Sequence, residues 1–239
     1  MEKVFLIFKW LLAITLLVLL LLFTNNQQNS QNIYLNNVIV EESKDNFIDG
    51  KIVLDYLQDQ SIYFDSILVR DFSKEKLENV LESHPAVKQA EVFGSQQGDI
   101  NILVEQKRAI VRLKGDNGDY YLDEFGNRME LCTNYTSQVV VVTGNFSVKD
   151  HISIYEFISE INKSEFWRSQ ITQVHFEKGE VLLIPRVGSH KVNIGSFKNI
   201  TDKLDNLYQF YKVAMPGKGW HTYSNINLKF ENQIVCLKK

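Results

Sequence analysis

The most uneven feature of the hydrophobic pattern lies at the start of the chain. Twenty consecutive residues, from Val4 to Phe23, carry only one charge, that of Lys9. An α-helix of about 20 residues spans about 30 Å, the hydrocarbon thickness of a bilayer. Lys9 lies near the beginning of the run, where its side chain reaches the headgroups, and Trp10 beside it is typical of an interfacial anchor. The pattern therefore predicts a membrane-spanning helix over residues 4–24.

A cleaved signal peptide is the alternative for this segment. Such a peptide has a shorter apolar core and a small-residue cleavage site. Here the run ends in Phe23-Thr24-Asn25-Asn26-Gln27-Gln28, which contains no such site. We therefore expect an anchor that is not cleaved.

The charges beside the span predict its orientation. Lys3 and Lys9 lie before it or at its start, and the next cation is Lys44. Because cytoplasmic flanks carry the excess of Lys and Arg, we expect residues 1–3 to be cytoplasmic and everything after residue 24 to be extracytoplasmic. Residues 25–36 are rich in Asn and Gln and are predicted to form a flexible linker.

Residues 37–105 have the pattern of a small sheet covered by two helices. Asp49 is placed to cap one helix, and a second begins near Ser73 and ends before Pro85. Alternating apolar residues up to Gly94 and after Gly98 predict a hairpin around Ser95-Gln96-Gln97. The order strand, helix, helix, strand, strand indicates one compact unit.

Residues 106–239 are richer in strands. Alternating apolar residues occur on both sides of several Gly-containing turns, and a longer helix is predicted from about Phe197 to Val213, closed by Pro216-Gly217. The final strands contain Ile226, Leu228 and Phe230, then Ile234-Val235-Cys236. The predicted fold class is α+β: an N-terminal transmembrane helix, a small sheet with two helices, then a mixed α/β domain dominated by antiparallel strands.

The overall composition is that of an ordinary globular protein. Apolar residues make up 44%, which excludes a disordered chain, and the formal net charge is -3. A slightly acidic chain lacks the excess of Lys and Arg with which nucleic-acid binders contact phosphates. An extracytoplasmic location also disfavours enzymes that depend on nucleotide cofactors, because these are scarce outside the cytosol.

No residue pattern points to catalysis or to a metal site. No Ser or Cys nucleophile motif is present, and Asp116-Asn117-Gly118-Asp119 lacks the twelfth ligand of a calcium loop, which favours a solvated turn. Cys132 and Cys236 are either a disulfide or two buried thiols. The histidines are at least fifteen residues apart, which excludes a helical ligand pair: His84, His151, His175, His190 and His221. We expect a non-enzymatic protein with no catalytic, cofactor-binding or metal-binding residue and no small-molecule substrate.

We therefore expect the protein to act through a surface that binds a partner, and the last strands are one candidate for it. A sheet commonly has an open edge at a terminal strand, where unpaired N–H and C=O groups are available to a partner strand. The alternative is an edge protected by its own charges, Lys229, Glu231, Lys238 and Lys239.

Three stretches of the chain resemble the FtsQ/DivIB family of bacterial division proteins. His84-Pro85-Ala86-Val87, followed by the strand Ile100 to Gln106, resembles the end of the family's POTRA domain. Tyr120-Tyr121-Leu122-Asp123-Glu124-Phe125-Gly126, followed by Val139 to Gly144, resembles the start of its β-domain. Trp220 to Tyr223 and Ile226 to Val235 resemble its C-terminal strands. The chain departs from the family pattern at two places where the family often has proline. One is Arg108-Ala109, and the other is Glu130, which follows Met129.

The resemblance implies a domain order and a function. It implies a POTRA domain over residues 37–105 and a β-domain over residues 106–239. It also implies a scaffold of the divisome at the inner membrane and division septum, which binds FtsB/FtsL-type single-span proteins by strand addition and links early and late septum-assembly proteins. The implied partner-binding residues are Tyr223, Phe230, Asn232, Gln233, Ile234 and Val235. The alternative is a POTRA-containing adaptor for protein export or outer-membrane assembly.

Overall fold

The computed structural model describes residues 2–29, 31–64, 67–94, 98–116, 118–231 and 233–239, with the backbone alone at 2–7 and 25–29. Contacts between its residues divide the chain into two compact units, Met1–Gln106 and Lys107–Lys239. Each unit has its own sheet and its own core.

The chain begins with helix α1, Glu2–Asn29. Within the part of the chain that the structure describes, no helix has both the length and the apolar character that crossing a membrane requires. The predicted span begins at residue 4, and its side chains before Phe8 lie outside the described residues. The predicted linker also differs, because α1 continues to Asn29 and a strand already begins at Tyr34, where the backbone pairs with Asp99.

The first unit is a three-stranded sheet with two helices. After α1 its elements are β1 (Tyr34–Val40), α2 (Gly50–Asp59), a 3₁₀ turn (Val69–Asp71), α3 (Lys74–Glu82), β2 (Val87–Gly94) and β3 (Asp99–Gln106). The strand order is β1-β3-β2, with β1 parallel and β2 antiparallel to the central β3. The predicted hairpin between β2 and β3 is confirmed, although Ser95-Gln96-Gln97 lie outside the described residues.

Both helices of this unit begin where the capping residues predict. The Asp49 carboxylate accepts a hydrogen bond from the Ile52 backbone N–H at 2.8 Å, and Ser73 Oγ accepts one from Lys76 at 3.3 Å. Each bond satisfies one of the backbone donors that a helix start leaves unpaired. Each helix buries apolar side chains spaced four residues apart, so that they lie on one face: Val53 and Leu57 on α2, Leu77 and Leu81 on α3.

The second unit is built on a nine-stranded sheet. Its strands are β4 (Ala109–Gly115), β5 (Gly118–Asp123), β6 (Arg128–Glu130), β7 (Val140–Gly144), β8 (Ile171–Glu177), β9 (Glu180–Pro185), β10 (Lys191–Gly195), β11 (Tyr223–Asn227) and β12 (Val235–Lys238). Its helices are α4 (His151–Lys163), α5 (Glu165–Gln170), α6 (Ile200–Val213) and α7 (Met215–Lys218). The strand order is β12-β11-β10-β9-β8-β7-β4-β5-β6, so β12 and β6 are the edges.

One core joins the helices of this unit to alternate residues of the strands. The helices contribute apolar side chains such as Phe157 and Leu207, and the strands contribute residues such as Val142 and Ile226. At about 25 cal/mol per Å² of apolar area removed from water, this shared burial is the main force that holds the helices to the sheet.

Several details of the second unit differ from the sequence prediction. The long helix begins at Ile200, because Asn199 adopts a left-handed conformation (φ 52°) that a helix cannot continue through. Pro216 and Gly217 do not end it in a loop but lie in the short α7. The acidic turn after β4 joins β4 to β5, and the Asp119 carboxylate forms a bidentate pair with Arg112 at 2.7 Å for both bonds.

Candidate functional site

The candidate site is the β12 edge of the nine-stranded sheet. β12 pairs antiparallel with β11, with Val235 opposite Asn227 and Leu237 opposite Asn225. β11 is in turn parallel to β10. The edge is therefore supported from one side only, and its other side faces away from the sheet.

Side chains alternate along this strand in the way that a half-buried strand requires. Cys236 is half-buried and packs against the core, and this burial raises the pKa of its thiol. Its neighbours are exposed, Val235 to 46% and Leu237 to 66%. Phe230, just before the strand, is 49% exposed. The edge thus combines a strand backbone with three exposed apolar side chains.

The outward backbone groups of β12 can be assigned from its last hydrogen bond. The Lys239 N–H donates to the Thr222 carbonyl at 3.2 Å, towards β11. Because backbone N–H groups alternate from one side of a strand to the other, those of Cys236 and Lys238 point away from the sheet. Among the described residues no side chain accepts a hydrogen bond from any backbone N–H of β12. These donors remain available to another strand.

The β2 edge of the small sheet is built differently. The Val92 backbone N–H donates to Glu78 Oε1 at 2.8 Å, and the Ala90 N–H donates to Glu82 Oε1 at 3.3 Å. Glu78 and Glu82 lie one turn apart on α3, a spacing that matches alternate residues of the strand. The two carboxylates occupy the donors that an added strand would use, so this edge is closed by its own helix.

Removing one of these carboxylates is expected to open the β2 edge. In Glu78→Ala the Val92 amide loses a charge-assisted bond, which contributes about 1.5 kcal/mol. Hydrogen exchange of the Val92 amide in the full chain should therefore become about tenfold faster. Glu75→Ala, an exposed position on the same helix, is the control and should leave this rate unchanged. Equal Val92 exchange rates in wild type and Glu78→Ala would show that the carboxylate does not cap the edge.

The structure distributes the six predicted site residues unevenly. Val235 is the first residue of β12, and Gln233 is exposed just before it, whereas Ile234 is half-buried against the core. Asn232 lies outside the described residues.

Tyr223 lies on β11 and faces inward. Its side chain is only 7% exposed, and its ring packs at 5.8 Å from that of Phe210 on α6. Leu237 and Lys238 were not among the predicted site residues. Successive side chains of a strand point to opposite faces, so Leu237 lies on the same face as Val235. The run Ile234-Val235-Cys236-Leu237 is apolar throughout, so its sequence carries no alternation that would indicate which of these residues are exposed.

A buried aromatic cluster supports the strands next to this edge. His190 is 2% exposed, its Nε2 lies 2.7 Å from the Tyr211 hydroxyl on α6, and its ring stacks on Trp220 at 6.4 Å. Burial lowers the pKa of His190 and raises the pKa of Tyr211, and the positive charge of Lys239 lowers the pKa of His190 further. The cluster links α6 to the segments that precede β10 and β11.

The lowered pKa of His190 predicts that the second unit loses stability in mild acid. The unfolded chain binds a proton near pH 6.5 while the folded chain does not, so the free energy of unfolding falls as the pH drops from about 7 towards the lowered folded-state pKa. In His190→Gln the part of this pH dependence that comes from His190 should disappear. The part that comes from His151 should remain, because burial lowers the pKa of that residue as well. Urea unfolding between pH 8 and pH 5, followed by tryptophan fluorescence, measures the slope.

The exposed His221 provides the control for this experiment. His221→Gln should keep the wild-type dependence of unfolding free energy on pH. A His190→Gln protein that loses stability as steeply as wild type would contradict the assignment.

The described side chains are not arranged to bind a metal ion. The described part of the chain contains no group of three or more His, Cys, Asp or Glu side chains placed to hold a metal ion. Cys132 and Cys236 are both half-buried and both present as thiols.

Comparisons with known proteins match both units. The family described as FtsQ/DivIB, C-terminal related, matches residues 108–237, and a POTRA-like domain matches residues 34–105. No curated protein is similar enough to count as a relative.

Among solved structures, one match is the major extracytoplasmic domain of the trans isomer of the bacterial cell division protein DivIB from Geobacillus stearothermophilus. It is 14% identical, and the match covers 46% of this chain and 96% of that one with a TM-score of 0.34.

Proposed function

The chain belongs to the FtsQ/DivIB family, and from this premise we propose that it is a non-enzymatic scaffold of the bacterial division machinery. The family is one of division proteins without enzymatic activity. The proposal goes further in assigning a binding mode, a partner type and a location.

The proposed binding mode rests on the exposed backbone of the β12 edge. Its outward N–H groups are not capped by any side chain that the structure describes, whereas those of β2 are capped by Glu78 and Glu82. A partner strand that pairs with β12 gains main-chain hydrogen bonds, and alternate side chains give specificity. Val235, Leu237 and Phe230 are the exposed apolar groups beside that strand.

The proposed partners are FtsB/FtsL-type single-span division proteins. Gln233 and Asn232 would contact the partner beside the strand, and Ile234 and Tyr223 would support the edge from within the core. Through such contacts the protein would link early and late septum-assembly proteins. The POTRA-like unit is the proposed second contact region for other divisome components.

The proposed topology has one anchor. Residues 1–3 are cytoplasmic, residues 4–24 cross the inner membrane, and residues 37–105 and 106–239 form the two extracytoplasmic domains. The described side chains of α1, from Phe8 to Thr24, are exposed and almost all apolar, which supports a lipid-facing helix.

A fluorescent fusion of the full chain tests this function. Its expected distribution in growing cells is a band at midcell that appears before constriction. A uniform envelope signal without such a band would contradict a division role. That outcome would favour the adaptor for protein export or outer-membrane assembly, which the POTRA-like match alone also permits.

A further inference from the structure

A polar groove lies directly beside the β12 edge. Its volume is about 290 Å³, and it runs between the first two turns of α6 and the connection from β11 to β12. One wall therefore belongs to the helix and the other to the chain segment that leads into the edge strand. The residues that matter for its chemistry are Asp202, Lys203 and Asn206 on α6, and Phe230, Glu231 and Gln233 on the connection.

Both walls of the groove are fixed to β10. The Lys203 ammonium donates to the carbonyls of Ile194 at 2.7 Å and Ser196 at 2.9 Å, and burial lowers its pKa. On the other wall the Leu228 N–H donates to the Asn193 carbonyl at 2.8 Å. A ligand would therefore meet a groove that is already formed, which reduces the entropy lost on binding.

Among the described residues, the ammonium groups of the groove are already paired within the protein, whereas its carboxylates are not. Lys203 is held by the two carbonyls, and the Lys229 ammonium is paired with Glu180 Oε1 at 2.6 Å. By contrast, Asp202 and Glu231 are exposed and have no hydrogen-bond or ion-pair partner among the described residues. The described lining of the groove thus offers carboxylates to a ligand, whereas both of its ammonium groups are already paired.

The remaining groups suit a polypeptide. The side-chain amides of Asn206 and Gln233 each carry donors and an acceptor, the same groups that a peptide backbone requires, and neither has a partner in the part of the chain that is described. Phe230 adds an apolar surface that is 49% exposed. The exposed carboxylates of Asp202 and Glu231 repel an anion, and a purely apolar ligand would leave the polar groups of the groove without partners.

The position of the groove identifies which polypeptide segment would reach it. Ile234 lines the groove and directly precedes Val235, the first residue of β12. A strand that pairs with β12 therefore passes the mouth of the groove at the Val235 end. We propose that the groove binds the part of the partner chain that adjoins its added strand, and that this part carries a Lys or Arg side chain between Asp202 and Glu231.

This inference rests on the proposed function, because it requires a partner strand on β12. It adds the chemistry by which the partner is selected. A partner without a cation at that position would leave two carboxylates unpaired and lose part of its affinity. Complementary charges at the rim of an interface act mainly on specificity and on the association rate.

Neutralising the two acids tests the proposal. The probe is the extracytoplasmic segment of the FtsB-type protein of the same bacterium, and the full chain is used in detergent. In Asp202→Asn with Glu231→Gln, the Kd should rise about three- to tenfold in 50 mM salt, and the rise should shrink to less than about twofold in 500 mM salt, because exposed pairs are weak and screened. A second readout is a photo-crosslinker at Asn206, which should react with a partner peptide that contains Lys or Arg.

The matched control removes the same charge elsewhere. Asp205→Asn with Glu156→Gln changes two exposed acids outside the groove and should leave the Kd within about 1.5-fold of wild type. If the groove double variant binds like this control, or if its loss is the same at both salt concentrations, the proposal is wrong. Crosslinking of Asn206 to a second copy of this chain would also overturn it.

Failure of this proposal and failure of the proposed function give different results. If strand binding at β12 is real but the groove is not used, substitutions in β12 weaken binding and the groove variant does not. If the probe does not bind the wild-type chain at all, both the strand mechanism and the groove proposal fall.

Discussion

Replacing Lys238 by proline is expected to raise the Kd for an FtsB-type partner at least about tenfold while the protein stays folded. The Lys238 N–H points away from β11, so proline removes no hydrogen bond within the sheet and is tolerated at a solvent-facing edge position. Once a partner strand pairs with β12, the same residue lies in an interior strand. There the missing donor and the proline ring both oppose pairing.

Lys238→Ala is the matched control for this experiment. It removes the same ammonium group but keeps the backbone N–H, so its Kd should remain within about twofold of wild type, the effect of a single exposed charge. Binding is measured with the full chain in detergent, and tryptophan fluorescence checks folding. A Lys238→Pro protein that binds as tightly as Lys238→Ala would rule out main-chain pairing at this position.

Replacing Gly144 by alanine is expected to cause a large loss of stability in the second unit. Gly144 ends β7 with a φ of +95°, and a Cβ there would lie 2.1 Å from the Phe176 carbonyl oxygen on β8. Both the backbone strain and the clash are unfavourable, so the free energy of unfolding should fall by about 2–5 kcal/mol.

Substitutions at two other glycines distinguish the effect of backbone strain from that of the steric clash. Gly179 has a φ of +79°, and no atom of the described residues lies within 4 Å of an added Cβ, so Gly179→Ala measures strain alone and should cost about 1–2 kcal/mol. Gly217 lies in α7 with open space around it, and Gly217→Ala should be neutral or stabilise by about 0.5 kcal/mol. Urea unfolding followed by the fluorescence of Trp167 and Trp220 measures all three. The explanation fails if Gly144→Ala costs no more than Gly179→Ala.

The sequence allowed most helices and strands to be predicted, because local patterns determine them. Asp49 and Ser73 cap the helices that their positions indicate. The alternating apolar residues of the range 106–239 predicted strands, and in β4 the alternation puts Val111 and Leu113 on one buried face. Element ends were less accurate where a single backbone conformation decides them, as at Asn199, whose left-handed φ has no clear signature in the sequence.

The candidate site was predictable as a region but not residue by residue. The position of the last strand suggested an open edge, and β12 is indeed at the end of the sheet. Which side chains face outward depends on register: Asn227 pairs with Val235, which leaves Val235 and Leu237 exposed and turns Cys236 to the core. A shift of one residue in the register of β12 would turn Val235 and Leu237 towards the core and expose Cys236.

Other functional features depend on contacts between distant parts of the chain. His190 and Tyr211 are 21 residues apart and meet only because α6 packs beside the start of β10. Likewise, the pairing of Lys229 with Glu180 spans 49 residues, and it decides that the groove beside β12 offers carboxylates rather than an ammonium group. No local pattern contains this information.

The most direct test of strand pairing at β12 is photo-crosslinking from Leu237 in growing cells that produce the full chain. Leu237 is 66% exposed on the edge strand, and Ile152, which is 71% exposed on α4, serves as the control position. We expect a crosslinker at Leu237 to capture a single-span division protein that the same crosslinker at Ile152 does not. Capture of no division protein from Leu237, or of the same products from both positions, would contradict the account.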